Sequence, residues 1–257
     1  MLHLHFEFCG GQTILKRDVQ KAPLMVIRPF RLPCGTLMAF IVNPTGGVLG
    51  GDRAEIRVSV GPGAHVLLLT QSATRIQPSP AGVDAVQDIG FVVASGGRLE
   101  YYPGRTLPYA GSRFAQTIRT EVESGGEFGL TETLAAGRVA MGERLKFERY
   151  RSNVEVWQAG RQLYLDRVDL QPGTQHLGAP GILGKHAYSA SGVWVGTRGL
   201  KDYPALPGLL ACGQNVTGAV WLRATAQCGL DLDAALETAR SQVRAGVFGA
   251  APLSIRR

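Results

Sequence analysis

The stretch EIRVSVGPGAHVLLLT (residues 55–70) decides the fold. Polar and apolar residues alternate over residues 55–60, which is typical of a β-strand with one buried face. Gly61, Pro62 and Gly63 then interrupt the pattern, as a tight turn would. Residues 66–69 are all apolar, which indicates a more fully buried strand. We therefore predict two strands joined by a short turn, at a position where a hairpin connection would lie.

The same succession of strand and turn recurs along the first two thirds of the chain. Residues 2–8 and 114–122 also alternate, and compact apolar runs occupy residues 24–27, 37–42 and 91–94. Glycine turns separate the runs at residues 10–11, 95–97, 124–126 and 158–160, again at hairpin positions. Glycine supplies 34 of the 257 residues, nearly twice the usual ~7%. At least about ten strands are expected before residue 171.

Helical spacing is found only near the C-terminus. The apolar residues that recur at spacings of three and four are Leu232, Leu236, Ala239, Val243 and Val247. Asp231 is the expected N-cap and Gly249 the expected end of this helix. A shorter helix is predicted around residues 201–210, and a long loop at about 171–190. We predict a mainly β fold: one domain over residues 1–257, a large layered or coiled sheet body, and one or two late α-helices.

Composition limits the class of protein. Hydrophobic residues make up 45% and charged residues 18% of the chain, and no apolar run approaches the ~20 residues that cross a bilayer. The alternating N-terminus, interrupted by Glu7, does not resemble a secretory signal. Cys9, Cys34, Cys212 and Cys228 show no zinc spacing, so we interpret them as buried, reduced thiols. These features predict a cytoplasmic protein.

The net charge of +7 and pI of about 9.5 suggest an acidic partner. However, the basic residues are scattered, and the densest cluster, residues 144–151, contains Glu148 and alternates like a solvated strand. No RNA-recognition motif accompanies it. Nucleic acid is therefore not an expected partner, although a sheet-based binding module for some other anionic partner is an open alternative.

Catalytic motifs are missing from the sequence. Gly46 and Gly51 have the spacing of a phosphate-binding loop, but Asp52 and Arg53 follow where Lys and Ser or Thr are required. No nucleophile elbow or HExxH helix occurs. We predict that the chain is not an enzyme. One alternative is a metal-dependent hydrolase that uses His3 and His5, which share a strand face and could bind a divalent ion together, or could simply be solvated.

Several acidic residues lie in apolar or glycine-rich sequence: Asp52, Glu132, Glu143 and Asp166. A buried carboxylate is costly unless it is paired, hydrogen-bonded or next to water. Arg138 and Arg167 are possible structural partners. Alternatively, oxygen ligands along a wet channel would hold a divalent metal loosely and release it. His176 and His186 lack a nearby third ligand and are predicted to be surface residues.

Four motifs in order resemble one known family. They are residues 43–52, residues 63–75 with the segment TQSATR, residues 103–114, and residues 137–143. The opening, with Gly10-Gly11 and Arg28-Pro29-Phe30, is similar to the start of the same family. The chain thereby resembles the urease accessory proteins UreD, also called UreH, from about residue 4 to 170. It departs from the family pattern at Arg75, usually lysine, and at Gln77, often aromatic.

The resemblance implies a coiled β-fold and a non-catalytic role. It implies partners UreF, the GTPase UreG and apo-urease, and nickel(II) as a transient cargo without a permanent cofactor or stable metal site. An internal water-filled nickel passage would involve Asp52, Thr74, Glu132, Glu143 and Asp166, with Asp52, Glu143 and Asp166 as transient ligands. The motif residues with structural roles would be Gly46, Gly47, Gly50, Gly51, Arg75, Gly137, Arg138 and Gly142.

Overall fold

The computed structural model describes residues 1–200, 202–204 and 210–253. Its strands are β1 (Leu2–Cys9), β2 (Gln12–Gln20), β3 (Met25–Val26), β4 (Phe30–Arg31), β5 (Leu37–Val42), β6 (Arg53–Val60), β7 (His65–Thr70), β8 (Thr74–Ile76), β9 (Ala85–Val93), β10 (Arg98–Tyr102), β11 (Thr106–Pro108), β12 (Arg113–Val122), β13 (Glu127–Ala135), β14 (Arg149–Gln158), β15 (Arg161–Leu170), β16 (Tyr188–Val195), β17 (Leu210–Gln214) and β18 (Val220–Ala226). A 3-10 turn (Val139–Met141) precedes β14, and helix α1 (Gly229–Phe248) follows β18. The predicted mainly β fold is confirmed, with fifteen strands before residue 171.

Two sheets form the body. Sheet one has the order β15-β14-β12-β9-β6-β1-β2, and sheet two has the main order β17-β18-β16-β13-β10-β7-β5-β3. From β5 to β14 the principal strands alternate between sheet two and sheet one, and neighbours within each sheet are parallel. The chain therefore winds as a coil, and the predicted coiled topology is confirmed.

The glycine turns have two different roles, and the hairpin prediction is correct for only two of the five. Turns 10–11 and 158–160 join the antiparallel pairs β1/β2 and β14/β15. Turns 61–63, 95–97 and 124–126 instead lead from sheet one to sheet two, so their flanking strands do not pair with each other. Alternation reveals which face of a strand is buried but not which strand is its neighbour.

Alternate residues of sheet one pack against sheet two in the main core. Phe91 of β9 contacts Tyr101 and Phe128, with ring centroids 5.1 and 5.8 Å apart. The buried residues of sheet one include Leu2, Leu4, Phe6, Ile56, Val58, Val60, Ile89, Ile118 and Val122. This apolar layer is the main source of stability, because each fully buried large side chain contributes about 1.5–3 kcal/mol relative to exposure.

Helix α1 packs against the part of sheet two that holds β16 and β18. Its five predicted apolar residues are all buried, so the predicted helix face is confirmed. Gly249 ends the helix with a left-handed conformation, as expected. The N-cap prediction was wrong: Cys228 occupies that position, and Asp231 lies in the first turn. The negative charge of Asp231 there still interacts favourably with the positive end of the helix dipole.

Other predictions concern the connections and the cysteines. Residues 171–187 contain turns but neither strand nor helix. The helix predicted at 201–210 falls largely on residues outside those described, and Leu210 begins β17. The four thiols are free, but the prediction of burial was wrong: Cys9, Cys34 and Cys228 are exposed and Cys212 is half-buried, because the exposed three lie at strand ends or in connections. No helix in the described part of the chain is long and apolar enough to span a membrane.

Candidate functional site

Four connections that return from sheet two to sheet one stack on one side of the coil. They are residues 43–52, 71–84, 103–112 and 136–148, and we call this side the motif face because the motifs that carry the family resemblance fall largely on it. Backbone hydrogen bonds join successive layers: Val48 N donates to Arg75 O (2.9 Å), Thr74 N to Arg105 O (2.8 Å), and Gly111 N to Lys146 O (2.9 Å). Motifs that are separate in sequence therefore form one continuous surface.

Two motif glycines are required by the close backbone packing of these connections. Gly47 has φ 139°, and an added Cβ would lie 2.6 Å from the carbonyl oxygen of Arg75. Gly137 has φ 123°, and its Cβ would collide with the carbonyl oxygen of Glu143. A side chain at Gly47 would therefore push the first two layers apart, and a side chain at Gly137 would disrupt the fold of the fourth layer itself. Gln77, a departure from the family pattern, donates its amide to Gly46 O at 2.8 Å and so supports the same loop.

The remaining motif residues surround these two. Gly46, Gly50 and Gly51 belong to the first layer, the carbonyl of Arg75 accepts from Val48 in the second, and Gly142 ends the 3-10 turn in the fourth. The side chain of Arg75 is exposed. These residues shape the backbone of the motif face.

Asp52 and Thr74 line one small cavity beneath the motif face, of about 70 Å³, together with the ring of Phe114. Asp52 is exposed, and its carboxylate accepts a hydrogen bond from Leu49 N at 2.8 Å. That bond closes the glycine loop on itself. The carboxylate therefore has a local structural role and can also present oxygen to the cavity.

Glu143 lies apart from that cavity, in a pair with Arg138. The Arg138 Nε atom donates to Glu143 Oε2 at 2.7 Å, and a second guanidinium nitrogen contacts Oε1. The Arg138 guanidinium also lies 4.3 Å from the centroid of the Tyr109 ring. Hydrogen bonding from Arg138 lowers the pKa of Glu143. The structural pairing that the sequence left open is therefore present at this residue.

Glu132 and Asp166 meet in a second, larger cavity of about 740 Å³ between the two sheets. Glu132 Oε1 accepts from the Gln116 amide and from Ser152 Oγ, the latter at 3.2 Å. No cationic side chain among the described residues forms a salt bridge with Glu132. Burial raises the pKa of Glu132 to about 7, against the lowering effect of its hydrogen bonds. We call this cavity the acidic chamber.

Strand register explains how the acidic chamber forms. Gln116 of β12 lies opposite Ser152 of β14 in sheet one. In sheet two Glu132 of β13 lies opposite Ser191 of β16, which lies opposite Arg223 of β18. Residues opposite one another on adjacent strands share a face of the sheet. Two polar rows thus face each other beside the main apolar core between the sheets.

The partner of Asp166 was missed by the sequence analysis. Arg223, on β18, bonds both carboxylate oxygens of Asp166, at 2.8 and 2.5 Å. Arg167, the predicted partner, bonds Asn153 Oδ1 at 3.3 Å instead. Successive strand residues point to opposite faces, so Arg167 could not share the face of Asp166. Arg223 lies 57 residues further along the chain, and no local sequence pattern near it predicts the pair.

An aromatic pair lies between the small cavity and the acidic chamber. Phe114 lines the first cavity and Tyr150 lines the second. Their rings stack with centroids 6.0 Å apart and planes inclined by 23°, and both residues are buried. The five candidate passage residues therefore occupy three places: Asp52 with Thr74, Glu132 with Asp166, and Glu143 alone.

The histidines do not join these sites, with one exception. His3 bonds Glu55 Oε1 at 2.8 Å, and His5 bonds Ser59 Oγ at 2.7 Å, on the outer side of sheet one. His176 is exposed, as predicted, but His186 is half-buried and lines the acidic chamber, where it bonds Thr225 Oγ1 at 2.7 Å. Within the described residues, no group of three or more His, Cys, Asp or Glu side chains could hold a metal ion.

The comparisons with known proteins agree on one family. Residues 1–257 match the family model described as UreD urease accessory protein. Urease accessory protein UreD of Deinococcus radiodurans is 58% identical over 262 residues, covering 100% of this chain and 94% of that protein. UreD 1 of a Synechococcus strain is 37% identical, covering 75% of this chain and 72% of its own. The UreD of Herpetosiphon aurantiacus is 34% identical, covering 74% and 67%.

Proposed function

The chain belongs to the UreD family of urease accessory proteins, which are not enzymes, and we propose that it supports delivery of nickel(II) to the active site of apo-urease. We infer that it does so in the cytoplasm as a scaffold bound to UreF, the GTPase UreG and the urease subunits, without nucleic acid or membrane. Nickel is the cargo in this proposal rather than a resident cofactor.

The acidic chamber is the observation that carries the proposal. Glu132 and Asp166 present carboxylate oxygens to a cavity of about 740 Å³, which has room for several waters. Carboxylates lower the energy of a partly dehydrated divalent cation, while oxygen ligands without thiolates bind nickel weakly. Weak binding suits a cation that must leave again.

We propose further that the acidic chamber and the small cavity under the motif face are two segments of one passage. Asp52 and Thr74 supply oxygen atoms in the second segment. Transit between the segments requires the Phe114 and Tyr150 rings to move apart, since this pair lies between them. Glu143 would act at the margin of the passage, because Arg138 already neutralises it.

The direct test replaces Glu132→Gln and Asp166→Asn, together and singly, in the assembled accessory complex with urease. Each change keeps the size of the side chain and removes its charge. We expect complexes to form normally but the nickel content and activity of urease to fall by about tenfold, because a unit charge 4 Å from a cation contributes up to ~4 kcal/mol at an effective dielectric of ~20.

A matched control is Asp88→Asn, which removes a carboxylate from the outer side of sheet one, where the Asp88 side chain is 55% exposed. Pull-down of the complex and metal analysis of urease should be performed on the same samples. Normal complexes that contain normally loaded urease in the double variant would refute the proposal. Loss of the complex itself would assign these carboxylates to stability instead.

A further inference from the structure

Arg223 holds Asp166 in an unequal pair. The guanidinium makes two parallel bonds, Nη1 to Oδ2 at 2.8 Å and Nη2 to Oδ1 at 2.5 Å. The side chain of Asp166 is 9% exposed, whereas that of Arg223 is 48% exposed. The carboxylate is therefore fixed inside the chamber, while the arginine reaches it from the solvent side and has open space into which it can withdraw.

Arg223 also lies in the same cross-strand row as Glu132. Ser191 separates the two residues in the row across β13, β16 and β18. Its side chain is too short to shield them, and both Glu132 and Arg223 line the acidic chamber. A guanidinium always carries a positive charge in a protein. Any cation that approaches Glu132 and Asp166 thus meets a cation already present.

We propose that Arg223 is a resident counter-ion that a divalent cation must displace from Asp166, and that this competition keeps nickel binding weak enough for release. The inference rests on the proposed function. Entry of the cation breaks the two guanidinium bonds, and Arg223 turns towards solvent. On departure of the cation Arg223 returns to Asp166, so the carboxylate is never left buried and unpaired.

Other charged side chains of the chamber lack this geometry. Arg167 borders the cavity, but its side chain lies on the face of β15 opposite to Asp166 and bonds Asn153. Lys185 lines the same cavity and is exposed. Among the described residues, Arg223 alone forms a salt bridge with a carboxylate of the chamber. Arg167→Gln is therefore the matched control, because it removes a positive charge beside Asp166 in sequence but on the opposite face of β15.

The test measures nickel(II) binding to the full-length chain by calorimetry and equilibrium dialysis at fixed pH. Binding by the Glu132→Gln/Asp166→Asn variant is subtracted as background, because exposed thiols and histidines also take nickel. Arg223→Gln should tighten the chamber dissociation constant by about tenfold or more, since a positive charge next to the cation is removed. Arg167→Gln should leave it within about twofold, because that charge points away from the carboxylates.

Two further variants keep the test decisive. Arg223→Lys retains the charge but loses the two-bond fork, so the affinity should rise by a smaller factor, about two- to fivefold. If Arg223→Gln fails to fold, this lysine variant carries the test, and unchanged affinity in it overturns the proposal. Unchanged or weaker affinity in folded Arg223→Gln does the same.

The failure of this inference can be told apart from failure of nickel delivery. If Glu132→Gln/Asp166→Asn lowers urease loading while Arg223→Gln binds nickel like the wild type, only the role of Arg223 is wrong. If the carboxylate variant loads urease normally, the chamber is not a nickel route, whatever the affinity of Arg223→Gln.

Discussion

Two glutamates on neighbouring strands of sheet two, Glu100 and Glu132, have opposite surroundings. Glu100 of β10 is fully buried and bonds Arg244 of α1, with Nε 2.9 and 3.1 Å from its two oxygens. Glu132 of β13 faces the acidic chamber and receives bonds from an amide and a hydroxyl. Glu100 is neutralised by an ion pair, whereas Glu132 has no salt bridge among the described residues and faces an open cavity.

The difference separates a structural carboxylate from a functional one. Arg244 also donates to Thr36 Oγ1 at 3.3 Å, so the Glu100 pair joins the C-terminal helix to the chain near β5. Both side chains of this pair are almost fully shielded from solvent. The chamber around Glu132 gains nothing comparable in stability, because burial disfavours the charged form of that acid. Because ionised Glu132 costs free energy of folding, its presence in the chamber is a reason to expect a function.

The largest expected effect is the loss of stability when Glu100 is replaced. Glu100→Gln leaves the Arg244 guanidinium buried without its carboxylate, and breaking a buried pair in this way costs about 3–5 kcal/mol. We expect the free energy of unfolding, measured in urea, to fall by that amount. The control is Asp88→Asn, whose exposed pair with Arg57 is worth at most about 1 kcal/mol. Equal losses in the two variants would show that Glu100 is not a structural anchor.

The second effect is a dependence of the free energy of unfolding on pH that arises from Glu132. Since burial raises the pKa of Glu132 from 4.5 to about 7, the folded chain binds this proton more tightly than the unfolded chain. Stability from this group is present below about pH 4.5 and is lost as pH rises to 7. The full loss above pH 7 is on the order of 3–4 kcal/mol, since each unit between pKa 4.5 and about 7 corresponds to about 1.4 kcal/mol.

Glu132→Gln should remove that dependence. The variant should be more stable than the wild type at pH 8 and similar to it at pH 4.5, in contrast to the large loss in Glu100→Gln. Urea unfolding of both proteins across this range provides the measurement. If Glu132→Gln shows the same change in stability between pH 4.5 and pH 8 as the wild type, another group is responsible for the pH dependence.

The smallest effect is expected at Glu143, where the carboxylate already has a partner. Arg138 is 38% exposed and Glu143 18% exposed, so water can solvate the arginine when the pair is broken. We expect Glu143→Gln to lower urease nickel content less than Glu132→Gln does, with little change in stability. Metal analysis of urease matured with each variant makes the comparison. A larger loss at Glu143 would move the main cation contact to the motif face.

Much of this architecture follows from local patterns. Alternation over residues 55–60 predicts the buried face of β6, and spacing by three and four predicts the buried face of α1, because both depend only on backbone periodicity. The ordered motifs predict the family. By contrast, the same glycine turn closes a hairpin at residues 10–11 and joins two sheets at residues 61–63, which no local signal distinguishes.

The sequence by itself determined the strands, their buried faces, the C-terminal helix and the family, since each is encoded within a few residues or in an ordered set of motifs. Only the tertiary structure decided which acidic residues share a cavity and which arginine each one meets. Asp166 pairs with Arg223 rather than with its neighbour Arg167, and Glu132 lies across from Gln116 and Ser152. These contacts depend on strand order and register, which arise from pairing between distant segments.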